Sequence, residues 1–301
     1  MTTSKDVSFF RVWLMAIRPR TLPAAISPVV VGMALALEDQ AFQLFPAMAA
    51  LMCALLLQIG VNLANDYFDC VKGIDTSERL GPPRVTQLGL ISPGGVKAGM
   101  TVIFFLAVLN GLYLVLVGGW PILVLGLAAI LSALAYSGGP YPLASHGLGD
   151  AFVFIFFGLV AVCGTYYVQA LKLTLPVFLM ALPVGFLITA ILVVNNLRDI
   201  NTDRQSGKYT LAVVLGERGS KVEYLLLHLG AYLVPLACIL GRVVSGWVLL
   251  VLLSLPLTVS MIKMVWKEQG TVLNQALAGT AKLAFVYSLL LAAGLLIPFY
   301  F

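Results

Sequence analysis

The chain is long, apolar and sparsely charged. It has 301 residues, of which 60% are hydrophobic and 10% are charged, and its formal net charge is +5. Soluble domains carry roughly 45–50% apolar and about 25% charged residues, so this composition excludes an ordinary soluble protein and indicates a polytopic membrane protein. Its four cysteines form no C-x-x-C pair, which argues against a disulfide framework or a zinc site. No nucleic-acid partner is expected.

Nine apolar runs approach the length that crosses a bilayer, which is about 20 residues for a helix. Lipid offers the backbone no hydrogen-bond partner, so only helices or a closed barrel can span it, and continuous apolar runs exclude the alternation of a barrel. The sequence therefore predicts an all-α bundle of nine transmembrane helices, forming a single domain over 1–301. The runs cover 21–37, 44–64, 98–118, 120–136, 150–170, 175–197, 222–241, 245–265 and 276–300.

The segment before the first run, 1–20, places Phe9, Phe10 and Trp13 at helical spacing. Arg11 interrupts it and a clean small-residue cleavage site is missing, which argues against a removable signal peptide. An amphipathic helix lying on the membrane surface is expected, with a disordered start as the alternative.

The distribution of basic residues predicts the orientation. When the runs are threaded in order, all but three of the 18 Lys and Arg residues fall on the side that holds the N-terminus. Because basic residues accumulate on the cytoplasmic side of membrane proteins, the N-terminus is predicted to be cytoplasmic. Two long polar loops, about 66–97 and 198–221, then lie on that same side.

The first of these loops begins with a cluster of carboxylates and amides. Asn65 and Asp69 are four residues apart and therefore share one face of a helix. Asp66 lies beside them, and Gly73 permits a break that can turn Asp75 back towards the cluster. In the second loop the same four-residue spacing recurs. Its members are Asn195, Asp199 and Asp203.

Like charges at this spacing destabilise a helix, so a counter-charge is expected. Oxygen ligands without His or Cys favour a hard cation, Mg²⁺ or Ca²⁺, and Mg²⁺ commonly binds through a few carboxylates together with substrate phosphates. The basic residues between the carboxylates are suited to contact a polyphosphate. The alternative is a solvated loop whose acids and bases pair with one another. The basic residues are Lys72, Arg79, Arg84, Arg198, Arg204 and Lys208.

NDYFDCVKGID at 65–75 and NNLRDINTDRQSGKYTL at 195–211 resemble the two Asp-rich motifs of the UbiA superfamily of intramembrane aromatic prenyltransferases. The resemblance covers essentially the whole chain, with nine spans and an R-P-R-T-L-P segment at 18–23. The K-G-x-D and R-D-x-x-x-D-R-x-x-G-K-x-T-L forms are most like the branch that acts on 1,4-dihydroxy-2-naphthoate in menaquinone synthesis.

The resemblance implies a bacterial cytoplasmic (inner) membrane enzyme that uses Mg²⁺ to transfer a prenyl group from a polyprenyl diphosphate to an aromatic acceptor on the cytoplasmic side, with membrane lipid around it. The implied Mg²⁺ ligands are Asn65, Asp66, Asp69, Asp75, Asn195, Asp199 and Asp203. Those implied to be catalytic are Asn65, Asp69, Asp199 and Asp203. The implied diphosphate contacts are Lys72, Arg84, Arg198, Arg204 and Lys208. Asp75 departs from the commoner family spacing, because Gly73 occupies the expected position.

Two further residues are candidates for contacting the acceptor. Tyr136 begins a Gly- and Pro-rich loop, and Lys282 lies early in the last run, where an ionisable residue is a functional candidate. An interfacial tyrosine and a lysine that reaches the headgroups are the alternatives.

Other functions fit the same motifs. The acceptor in this family can instead be 4-hydroxybenzoate, homogentisate or a porphyrin, and the donor can be a phytyl diphosphate. A cation-coupled transporter is the alternative of another class, because carboxylates within membranes also mark ion pathways. Transporter sites lie near the bilayer midplane, whereas these clusters lie at span ends among basic residues.

Overall fold

The structure is a computed structural model that describes residues 8–73 and 80–300. Every regular element within these ranges is helical, and nine helical segments in them are long and apolar enough to cross a membrane. The prediction of an all-α bundle of nine spans is therefore confirmed. Asp75 and Arg79 lie outside the described residues.

The helices are numbered here in chain order. The fifth span is made of α6, a π-helical segment Phe154–Val160 and α7, and the eighth of a 3-10 segment Gly246–Ser254 and α11. The α-helices are α1 (Phe9–Ile17), α2 (Leu22–Glu38), α3 (Leu44–Val71), α4 (Pro93–Gly118), α5 (Trp120–Ser137), α6 (Gly149–Val153), α7 (Ala161–Ala170), α8 (Leu175–Arg198), α9 (Ile200–Gln205), α10 (Leu211–Leu240), α11 (Leu255–Lys267) and α12 (Leu273–Tyr300).

Several helices extend beyond the apolar runs that predict them. α3 continues to Val71, although its apolar run ends at 64, and α10 begins at Leu211 rather than 222. α10 is interrupted at Gly216, whose φ of 73° lies in the left-handed region. Hydropathy falls where polar residues enter, but the helical backbone continues and carries them.

The N-terminal helix α1 has an exposed apolar face. Phe9 and Phe10 are exposed, whereas Val12 and Ala16 are buried. The helix ends at Arg18, whose φ of 55° is left-handed and turns the chain into α2.

α8 lies at the centre of the bundle and packs against α2, α10 and α12. It meets the π-helical segment through two glycines, because a Cβ placed on Gly185 would lie 3.1 Å from the Cα of Gly158 and 2.9 Å from the ring of Phe154. Small residues allow helix backbones to approach this closely within a membrane.

Substituting Gly185 by Val should destabilise the protein, because the added methyl groups have no room between the two helices. Overpacking of this kind typically costs about 1–3 kcal/mol, so the melting temperature in detergent should fall. Gly164→Ala is the matched control, since a Cβ on Gly164 meets no atom within 4 Å. Equal melting temperatures for the two variants would contradict the close contact.

Candidate active site

A cavity of about 830 Å³ lies within the bundle. Apolar residues from α2, α3, α4, α5, the fifth span and α8 form most of its wall. Most of its polar residues come from the ends of α3 and α8, the segments that follow them, and the segment between α1 and α2. The cavity thus joins an apolar interior to a polar mouth. The carboxylates and amides of the two motifs that line it are Asn65, Asp69, Asn195, Asp199 and Asp203.

The structure brings the two motifs together at Asp69. Lys208, which follows α9, places its Nζ 3.4 Å from Oδ2 of Asp69. Arg84, in the loop after α3, places its Nη2 2.6 Å from the same oxygen. Asp69 and Arg84 are buried, at 4% and 6% exposure, so the attraction between them is weakly screened by water.

Asp66 lies behind the cavity wall rather than in it. It is 1% exposed and pairs with Arg18 at the end of α1, while Nε of Arg84 lies 3.5 Å from Oδ1. Asp66 therefore joins α1 and the loop after α3 to α3. Of the predicted metal ligands in the first motif, Asn65 and Asp69 line the cavity and Asp66 does not.

Arg198 is also placed behind the wall. Its Nε and Nη2 donate to the carboxylate of Asp199 at 2.8 and 2.5 Å, and Nη2 also donates to Oδ1 of Asn195 at 3.0 Å. Its Nη1 donates to Asn274 at 2.7 Å. The guanidinium thus holds two cavity-lining side chains instead of lining the cavity itself.

Asn65 and Lys72 are tied to the end of α5. Oδ1 of Asn65 accepts a hydrogen bond from the Ser137 hydroxyl at 2.6 Å, and Nζ of Lys72 donates to the Ser137 carbonyl at 2.6 Å. Burial lowers the pKa of Lys72; Asp69 partly offsets this and Lys208 adds to it.

Asp203, on α9, completes the polar mouth. Burial, together with the charges of Asp199 and Asp69, raises its pKa to about 6, against the opposing effect of Lys208 and Arg198. A shift in this direction means that burial and the neighbouring carboxylates disfavour the ionised form of Asp203.

The donor set fits a hard cation that is shared with a substrate. The described residues contain no group of three His, Cys, Asp or Glu side chains placed to hold a metal ion by themselves. Mg²⁺ characteristically binds through one or two carboxylates plus substrate phosphates. Asp69, Asp199 and Asp203, with the amides of Asn65 and Asn195, offer such a partial site.

The remaining predicted residues are placed in different surroundings. Tyr136 lines the cavity, and its hydroxyl packs against Gly149. Arg204 and Lys282 are exposed and do not line it. Lys282 points away because its neighbour on α12, Ala281, occupies the inward position; one helical step rotates a side chain by about 100°.

The structure also adds residues that sequence reasoning missed. Arg18 and Arg20 line the cavity, and the R-P-R segment that contains them is the one local signal that was available. Ser137 and Asn274 had no such signal, since their contacts with the motifs span 72 and 76 residues of sequence.

The comparisons with known proteins agree with this site. A family model described as the UbiA prenyltransferase family matches residues 25–289. The 1,4-dihydroxy-2-naphthoate octaprenyltransferase of Escherichia coli (strain K12) is 39% identical over 300 residues, which covers 97% of both chains. The protein of the same name from Bacillus subtilis (strain 168) is 31% identical over 295 residues, 94% of this chain and 91% of that one.

Solved structures share the fold. The apo structure of a UbiA homologue from Aeropyrum pernix K1 has a TM-score of 0.71 at 17% identity, covering 94% of this chain and 99% of that one. A homologue from Archaeoglobus fulgidus bound to GPP and Mg²⁺ has a TM-score of 0.67 at 15% identity, covering 93% and 99%.

The family model and the relatives together favour the enzyme over the transporter alternative. The described residues form nine apolar helices and place residues of both motifs at the mouth of one cavity. The chain belongs to the UbiA prenyltransferase family and is an integral membrane prenyltransferase.

Proposed function

We propose that the protein transfers a polyprenyl group from a polyprenyl diphosphate to 1,4-dihydroxy-2-naphthoate, with loss of CO₂, to give diphosphate and demethylmenaquinone in its reduced, hydroquinone form. The observation that carries the proposal is the 3.4 Å approach of Lys208 to Asp69, which joins the two motifs over the mouth of an apolar cavity. The names of the E. coli and B. subtilis relatives support the choice of acceptor.

The metal in this proposal is Mg²⁺, held by the oxygen atoms of the two motifs. When bound, it neutralises negative charge that develops on the departing diphosphate. A structure of a homologue with GPP and Mg²⁺ supports this choice at the level of the family. The ligands offered by the described residues are Asn65, Asp69, Asn195, Asp199 and Asp203.

Basic residues at the cavity mouth bind the diphosphate. Arg84 and Lys208 already converge on one carboxylate oxygen, and Lys72 and Arg20 also line the cavity. Hydrogen bonds between cationic donors and phosphate oxygens are about twice as strong as neutral ones. These side chains therefore fix the reacting end of the donor at the mouth.

The apolar wall holds the prenyl chain and excludes water from the allylic carbon. As the bond from this carbon to oxygen breaks, its electron pair leaves with the diphosphate. The acceptor ring carbon that bears the carboxylate forms the new C–C bond, and loss of CO₂ returns an electron pair to the ring. Water exclusion by residues such as Phe156 and Ile188 favours this capture over hydrolysis of the donor.

The proposed setting is the bacterial cytoplasmic (inner) membrane, with the N-terminus and the cavity mouth on the cytoplasmic side and the chain folded as a single domain among membrane lipids. The distribution of Lys and Arg supports this orientation.

The acceptor is tested with purified protein in detergent, labelled octaprenyl diphosphate and a panel of aromatic acids. We expect Mg²⁺-dependent transfer to 1,4-dihydroxy-2-naphthoate, with carboxyl-labelled acceptor releasing its label as CO₂. Turnover with 4-hydroxybenzoate or homogentisate alone would refute the naphthoate assignment.

Asp69→Asn and Asp199→Asn should each reduce turnover by on the order of a hundredfold or more, because each removes a charge that the metal and diphosphate require. Initial rates and membrane-fraction yields are the measurements. Asp39→Asn is the matched control. Asp39 lies at the opposite end of the bundle, where its Oδ2 is 3.2 Å from Nζ of Lys172. Retained activity in either motif variant would remove the proposed metal role.

The orientation predicts which single cysteines react with a membrane-impermeant maleimide. In a variant lacking the four native cysteines, Lys172→Cys should label in intact cells, whereas Glu268→Cys should label only after lysis. Both positions are exposed, and they lie at opposite ends of the spans. The reverse pattern would place the active site on the other face.

A further inference from the structure

A polar residue from the last span reaches both motif regions. Asn274 is the second residue of α12. Its Oδ1 accepts a hydrogen bond from Nη1 of Arg198 at 2.7 Å, and its Nδ2 donates to the carbonyl oxygen of Leu80 at 3.1 Å. One side-chain amide therefore joins the end of α8 to the loop after α3, across 76 and 194 residues of sequence.

The residue that Asn274 contacts controls two side chains of the second motif. Arg198 is 4% exposed and does not line the cavity, but Asn195 and Asp199, to which it donates, do. Its Nη2 donates to both of them, at 3.0 and 2.5 Å. Any rotation of this guanidinium would therefore move the oxygen atoms that face the cavity.

A glycine fixes the same guanidinium from another side. A Cβ placed on Gly81 would lie 2.9 Å from Nη2 and 3.2 Å from Cζ of Arg198. Contacts this short require the neighbouring atoms to shift, so a larger residue at position 81 would displace the guanidinium from its present place. Gly81 follows Leu80, whose carbonyl accepts from Asn274.

We propose that Asn274 is a positioning residue, which together with Gly81 holds Arg198 so that Asn195 and Asp199 present their oxygens to the Mg²⁺ that would bind the diphosphate of the donor. This role rests on the proposed function, in which these oxygens bind Mg²⁺ together with the donor diphosphate. It assigns part of the active-site geometry to the first turn of the last span, far from both motifs in sequence.

Asn274→Leu tests the role, since leucine has a similar volume and makes neither hydrogen bond. We expect kcat to fall roughly tenfold or more, the effect of losing a hydrogen bond to a charged group, while the KM for the aromatic acceptor changes little. The rise in melting temperature caused by geranyl diphosphate with Mg²⁺ should also shrink. Asn274→Asp keeps an oxygen acceptor for Arg198 and should retain most of the activity that leucine loses.

Asn110→Leu is the matched control. Nδ2 of Asn110 donates to the Ala49 carbonyl at 2.8 Å and likewise joins two spans, away from both motifs. It should lower the melting temperature without changing the ligand-induced rise. If Asn274→Leu behaves as Asn110→Leu does, or if Asn274→Asp is as impaired as Asn274→Leu, the positioning role is wrong.

Gly81→Ala provides a second route if the leucine variant fails to fold. It leaves Asn274 intact but displaces Nη2 of Arg198, so the same loss of the ligand-induced rise is expected. Combined with Asn274→Leu, its effect should be less than additive, because both changes act on one guanidinium. Full additivity would overturn the proposal.

The tests of the two proposals are independent of each other. If the unaltered protein does not prenylate 1,4-dihydroxy-2-naphthoate, the acceptor assignment fails. The melting-temperature response to geranyl diphosphate with Mg²⁺ needs no acceptor and still decides the role of Asn274.

Discussion

The active-site architecture depends on a chain of alternating charges that begins at the N-terminal helix and ends in the second motif. Arg18 pairs with Asp66, Arg84 lies between Asp66 and Asp69, and Lys208 completes the series at Asp69. Removing one member of a buried pair is strongly destabilising, because it leaves an uncompensated charge away from water. The carboxylates of α3 therefore hold α1, the loop after α3 and the segment after α9 in one arrangement.

Two carboxylates that are three residues apart thus have different surroundings. Asp66 lies behind the wall and Asp69 lines the cavity, although both pair with Arg84. The second motif has a similar arrangement, because Arg198 lies behind the wall and Asp199 lines the cavity. In both motifs a buried arginine orients an acidic side chain that remains accessible to a ligand. This division explains how a strongly apolar bundle tolerates so many charges at one end.

Apolar runs predict the number and order of the spans well, because crossing a bilayer imposes a length that the sequence must satisfy. The four-residue spacing also identifies residues that share a helix face, such as Asn65 with Asp69. It does not tell which side chains of α3 meet the cavity, since Asn62 and Asp66 have the same spacing, yet Asn62 lines the cavity and Asp66 does not. That choice depends on which helices pack around α3. Contacts such as Ser137 with Asn65, or Asn274 with Arg198, join distant segments and leave no local pattern. Helix ends are misjudged for a related reason, because polar residues that are stabilised by tertiary contacts resemble loop residues in a hydropathy profile.

The spans are not equally buried in the bundle. The difference matches the two parts of the prenyl donor, its charged diphosphate and its apolar chain. In the most apolar stretch of α8, 67% of the residues are buried, against 22% in α4 and 17% in α5. α8 ends in the second motif, so the oxygens that must be placed accurately stand on the most firmly packed helix. Leu112 of α4 and Leu127 of α5 both line the cavity, and both side chains are exposed. A prenyl chain is as apolar as the surrounding lipid, so these helices separate two similar environments and gain little from tight packing. The most firmly packed helix therefore carries charged residues of the active site. The less tightly packed helices enclose the part of the cavity that the hydrocarbon chain fills.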